Sequence, residues 1–175
     1  KAAGRLYADG VNLQTVPREL KEVVLQEQWE YDISNCHFTI LHQLSAQYGL
    51  DLPAVGHYLT NKKQIRQQLA ADVGITEEQV KTCLVSLIYG SKNSRRGQDA
   101  IPAEIGIEAA LRLYAHLIWV GLKQDTINAR RRIIKKSPRS RKRIENLMGK
   151  FISEDAPVEK LMSHLLQGAE AKMLE

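Results

Sequence analysis

Between Cys36 and the C-terminus, apolar residues return at helical spacing in one segment after another, and glycine or proline closes most of these segments. Cys36, Ile40, Leu41 and Leu44 form one such stripe, with Gly49 as its stop. A polar, cationic segment from Asn61 to Ala71 ends at Gly74. Thr76 and Gln79 then form a capping-box pair that opens a helix through Val80, Leu84, Leu87 and Ile88 to Gly90. From Pro102 a long stripe through Ile107, Ala110, Leu111, Tyr114, Leu117, Ile118 and Leu122 predicts one continuous buried helix. Arg130 to Lys136 continues as a cationic helix, Ser137-Pro138 interrupts it, and Ser140 to Ile152 is expected to resume it. Pro157 to Glu175 reads as the last helix. A chain punctuated in this way is mostly helical.

The N-terminal part differs. Residues 5–17 are polar and end at Pro17, which suits extended chain; Arg18 to Gln28 suits a short helix or turn, and Trp29 to Ile33 is the strand candidate. The expectation is therefore an α+β chain dominated by helices.

With 43% apolar and 26% charged residues in 175, the composition is that of a globular chain with one sizeable core. No apolar run approaches the roughly 20 residues that span a bilayer, and residues 1–10 lack a signal peptide's apolar centre, so no membrane partner and a cytoplasmic, non-secreted location are expected. Cys36 and Cys83 stand alone, outside any C-x-x-C pair, which argues against a disulfide framework or a structural zinc. The net charge of +5 is concentrated in Lys92 to Arg96 and Arg130 to Arg143, and such clustering points to a polyanionic partner. No aromatic residue interleaves the second cluster, so phosphate contact suits it better than base stacking. His42, His57, His116 and His164 show no ligand spacing.

The chemistry-bearing residues fall into three groups. Asp32 sits where the strand candidate meets the helix of Cys36 to Leu44. An isolated Asp at such a junction caps the helix; a rigid carboxylate there can equally hold a divalent cation. Lys81, Val85 and Tyr89 are spaced four apart and share one helix stripe, where a cation can meet a triphosphate and a ring can pack on a base or sugar. Gly4-Arg5-Leu6 precedes Asn12-Leu13-Gln14 and Pro17, a set of donors suited to minor-groove acceptors that all base pairs share.

In order and spacing these groups resemble the template-grip, metal-binding and fingers-helix motifs of family A polymerases, the DNA polymerase I type. The related single-subunit phage and mitochondrial RNA polymerases share the last two. The resemblance covers roughly residues 4–17, 29–45, 76–92 and 161–172 and implies helical fingers on a small antiparallel palm sheet. Residues 1–45 would be palm with the metal-binding Asp, 46–156 fingers, and 157–175 a helix returning to the palm.

By this resemblance Asp32 and the backbone of Ile33 would bind metal, with two Mg²⁺ ions expected, and Asp32 and Lys81 would be catalytic. Ser34, His37, Val85 and Tyr89 would line the nucleotide. Arg5, Asn12, Gln14 and Gln167 would touch the primer-template. Gln167 belongs to Leu166-Gln167-Gly168-Ala169-Glu170-Ala171, which is similar to the helix preceding the family's His-Asp motif; that motif's second metal-binding Asp is expected beyond Glu175, in a longer protein. Two positions depart from the pattern. His37 stands where DNA polymerases carry the Glu that blocks the ribose 2′ hydroxyl, and Glu77 stands where an Arg precedes the Lys by four.

The expected function is template-directed nucleotidyl transfer onto a DNA primer-template from nucleoside triphosphates, in the cytoplasm or at a viral or organellar replication site. Two alternatives remain open. One is an RNA polymerase or primase of the same fold, which His37 and Tyr89-Gly90-Ser91-Lys92 favour; the other is a non-catalytic nucleic-acid-binding domain, which Glu77 favours.

Overall fold

The structure, a computed structural model, describes residues 35–173. Eight helices and a three-stranded antiparallel sheet make up the described chain. The helices are α1 (Cys36–Gln47), α2 (Pro53–Thr60), α3 (Lys62–Val73), α4 (Glu77–Tyr89), α5 (Ala100–Ile105), α6 (Ile107–Ala115), α7 (Leu117–Lys136) and α8 (Val158–Met173). The strands β1 (Arg139–Ser140), β2 (Arg143–Glu145) and β3 (Phe151–Ser153) form a meander in the order β1-β2-β3 between α7 and α8.

At the centre lies α7. It packs against α1, α2, α4, α6 and α8, and buries Trp119, Leu122, Thr126, Ala129 and Ile133 along one stripe. One apolar cluster runs through the described residues from Phe38 to Ala169. No described helix is long and apolar enough to cross a membrane.

The helix ends explain where the elements stop. Thr76 accepts a hydrogen bond from the Gln79 amide at 3.1 Å while Gln79 accepts from the Thr76 amide at 3.0 Å, so the expected capping box opens α4. Gly90 closes it at φ 110°, a conformation that side chains resist. Helix α2, absent from the sequence expectations, starts at Leu52-Pro53. Its first amides are satisfied from across the core: the Asp125 carboxylate of α7 accepts from Ala54 N at 2.8 Å and Val55 N at 3.1 Å. Gly121, one turn earlier on α7, lets the two helices approach, since a Cβ there would lie 3.2 Å from Ala54 Cβ.

Two expectations change. The helix expected from Pro102 to Leu122 is three helices. Gly106, at φ 80° and ψ 159°, takes a backbone open essentially to glycine alone and separates α5 from α6. His116 then turns extended, and its imidazole accepts from Ile118 N at 3.3 Å, capping α7. The helix expected from Ser140 to Ile152 is instead the β-meander. After Pro138 the chain pairs Arg139 with Ile144 and Ser140 with Arg143, and only Ile144 is buried, between Arg143 and Glu145, with the period of two that a strand imposes. The small sheet thus lies at 139–153; the strand candidate Trp29 to Ile33 lies outside the described residues.

Candidate functional site

The start of α1 is where described chain and expected chemistry meet. Asn35 precedes the helix at φ 53° and makes no cap of its own. Its side-chain oxygen instead accepts from Arg66 Nη2 at 2.8 Å, while Arg66 Nε donates to the Tyr58 hydroxyl at 2.9 Å. The guanidinium, 5.8 Å from the Tyr58 ring, therefore ties α3 to the residue just after Ser34. Burial raises the Tyr58 pKa, with Arg66 opposing, so the hydroxyl stays a neutral partner.

One turn into α1, His37 projects toward the end of α4. The Tyr89 hydroxyl lies 3.0 Å from His37 Nδ1, and the two rings meet edge to face at 5.3 Å. On the other side, His37 Nε2 lies 3.5 Å from a carboxylate oxygen of Glu170 on α8. A single tautomer serves both contacts, with Nε2–H toward Glu170 and Nδ1 accepting from Tyr89 O–H. Side chains from three helices converge here although 52 residues separate the first two along the chain. Gln167 stands on α8 one turn before Glu170, half-buried.

The rest of the α4 stripe faces out. Val80, Cys83, Leu84, Leu87 and Ile88 enter the core, where burial pushes the Cys83 thiol up to about 12 and removes it from nucleophilic chemistry. Lys81 and Val85 are exposed, and Lys81 Nζ rests 3.0 Å from Glu78. Such an exposed pair contributes about 0–1 kcal/mol, so Lys81 is readily drawn to another anion.

Beyond Tyr89 the chain enters cationic ground. Gly90, Lys92, Arg130, Arg131, Lys135 and Arg139 line an open cleft of about 680 Å³ together with Glu159. A Cβ on Gly90 would overlap the Arg130 guanidinium, which would have to swing aside, and the φ of 110° is what calls for glycine there. Burial lowers the Arg130 pKa from its usual value, against the opposing pull of Glu159. A second cleft of about 570 Å³ adjoins it along Ser91 to Ser94 and Arg96. Trp119 Nε1 holds that loop by donating to Asn93 at 3.3 Å.

Of the residues singled out by sequence, His37 and Tyr89 meet, Gln167 stands on the helix that carries their third partner, and Lys81 and Val85 lie farther along the α4 stripe. Arg5, Asn12, Gln14, Asp32, Ile33 and Ser34 lie outside the described residues. No three His, Cys, Asp or Glu side chains converge as a metal site among the described residues. Glu170 and Arg66 were not singled out as site residues. Glu170 falls within the Leu166 to Ala171 segment, but nothing in its spacing links it to His37.

Comparison with known families, curated proteins and solved structures finds no match for this chain.

Proposed function

We propose that this chain is the palm-and-fingers portion of a family A type polymerase, adding nucleotides to a DNA primer-template by attack of the primer 3′ hydroxyl on the α-phosphate of a nucleoside triphosphate. The observation that carries this reading is the 3.0 Å contact between Tyr89 and His37. The resemblance assigns these two residues separately to the sugar and to the insertion site, and they lie in direct contact. Glu170 joins them from the helix that the same resemblance returns to the palm.

In this reading Tyr89 and His37 form the wall against which the incoming sugar and base rest, and their mutual hydrogen bond fixes both rings before substrate arrives. Lys81 exchanges Glu78 for the triphosphate. Arg66, tied to Asn35, holds the segment that follows Asp32 and Ser34 in register with the fingers. Mg²⁺ at Asp32 and the Ile33 backbone would supply charge neutralisation at the reacting phosphate.

Primer extension with Mg²⁺ and deoxynucleotides tests the reading. Asp32→Asn is expected to abolish turnover and leave DNA binding nearly intact; extension that survives the change contradicts the assignment of Asp32. A second reading, an RNA polymerase of the same fold, is favoured by the imidazole of His37 in the sugar-facing position, and competition between dNTP and rNTP in the same assay decides it. The non-catalytic binding domain is favoured by Glu77 and by the Glu78 partner of Lys81, and predicts salt-sensitive DNA binding with no synthesis.

A further inference from the structure

Strands β1 and β2 are joined by Arg141 and Lys142, both in left-handed backbone at φ 47° and 60°. A two-residue connection with both central residues at positive φ has the geometry that Asn-Gly makes with least strain. Long side chains adopt it reluctantly. Two strained, exposed cations thus occupy the turn between β1 and β2.

Their support is rigid. The Asn146 amide donates to His164 O on α8 at 3.0 Å, and its oxygen accepts from Met148 N and Lys150 N at 3.0 and 3.1 Å. Arg143 lies 5.2 Å over the ring of Phe151, stiffening the hairpin flank. Among the described residues Arg141, Lys142 and Arg143 form no ion pair. The charge is also continuous: Arg139 donates to Ile134 O at the end of α7 and lines the cleft that Arg131 and Lys135 share. Between Arg130 and Lys150 stand ten cations and one carboxylate, Glu145.

We infer that the β1–β2 tip and the C-terminal half of α7 form a clamp for double-stranded nucleic acid, gripping its phosphates without regard to sequence and setting Arg141 and Lys142 into a groove. A duplex carries one charge per about 1.7 Å of its axis, so a run of exposed cations can meet several phosphates at once. A single strand would be held by stacking on successive aromatic faces, and the meander offers a single exposed ring, Phe151, with Arg143 5.2 Å from its centroid. An arginine and a lysine side by side on a narrow two-residue tip suit groove insertion. The clamp is independent of the polymerase reading and would serve a non-catalytic binder equally.

The test uses the full chain, a short fluorescent duplex of arbitrary sequence, and anisotropy across a NaCl series. The variant R141N/K142G keeps the turn and relieves its backbone, so its melting temperature should match or exceed that of the parent. Its duplex affinity should nevertheless fall about tenfold, and the slope of log affinity against log salt should lose about 2. An unchanged slope overturns the inference. So does tighter binding to the matching single strand than to the duplex, or loss of binding to anionic lipid vesicles with duplex binding intact.

Discussion

The helical body and the β-meander of this molecule are held by different means. The body, α1 to α7, closes around apolar side chains: Trp119, Leu41, Leu87 and Leu122 are fully buried, and its polar contacts mostly finish helix ends. The meander contributes one fully buried apolar residue, Ile144. What fastens it is Asn146, whose amide bonds three backbone groups, and Gly168 on α8, whose missing side chain admits it; a Cβ there would overlap the Asn146 amide. Apolar burial is spread over many residues and tolerates local change, whereas the sheet is attached to α8 through a few polar contacts, Asn146 to His164 O and His164 to Lys150 O.

This contrast can be broken experimentally. Trp119→Ala should cost about 3–5 kcal/mol and lower the urea midpoint of the entire chain, because the cavity opens at the centre of the body. Asp125→Ala should cost about 3 kcal/mol, since two amides at the start of α2, one of them fully buried, lose a charged acceptor. Asn146→Ala, at about 2 kcal/mol, should act differently. Amide exchange should accelerate from Arg139 to Ser153 while α4 and α7 keep their protection. Gly168→Ala should reproduce that pattern by overpacking. Uniform acceleration across the chain in either variant would show that sheet and body are one cooperative unit.

The smallest effect concerns pH. Burial lowers the His164 pKa, against a hydrogen bond to Lys150 O at 3.0 Å that favours the charged form. The unfolded chain therefore binds this proton more readily than the folded one. Stability is complete above the ordinary histidine value of about 6.5 and is lost as pH falls from there through the depressed folded value. His164→Gln retains a donor toward Lys150 and should flatten the difference in urea midpoint between about pH 7 and about pH 5. An undiminished difference would assign the acid sensitivity to other groups.

The same contrast governs how much could be read from the sequence. Where apolar burial holds an element, its periodicity is written in the chain: the stripes at Cys36 to Leu44 and Val80 to Ile88 are helices in place, the last helix buries Leu161, Leu165 and Leu166 although Met173 is exposed, and the Thr76 and Gln79 capping box forms as spaced. Where a polar contact or a backbone angle holds it, the pattern is silent. Gly106 and His116 break a stripe whose periodicity runs on through them. Asn146, Asp125 and Gly168 act on partners far along the chain, so the anchoring of the meander and of α2 left no local trace beyond Pro53 at the start of α2. The site divides likewise. His37 and Tyr89 were legible as members of motifs; their contact, and the approach of Glu170, are consequences of how α1, α4 and α8 pack.

Whether His37 and Tyr89 form a nucleotide site can be measured without turnover. Two-dimensional NMR of the chain, titrated with a deoxynucleoside triphosphate and Mg²⁺ beside duplex primer-template, would follow the ring resonances of both residues and those of His116, which is held by Asp72. Saturable shifts are expected at His37 and Tyr89, abolished by Tyr89→Ala, with His116 unmoved. Rings that stay still under saturating nucleotide, or that shift only together with His116, would contradict it.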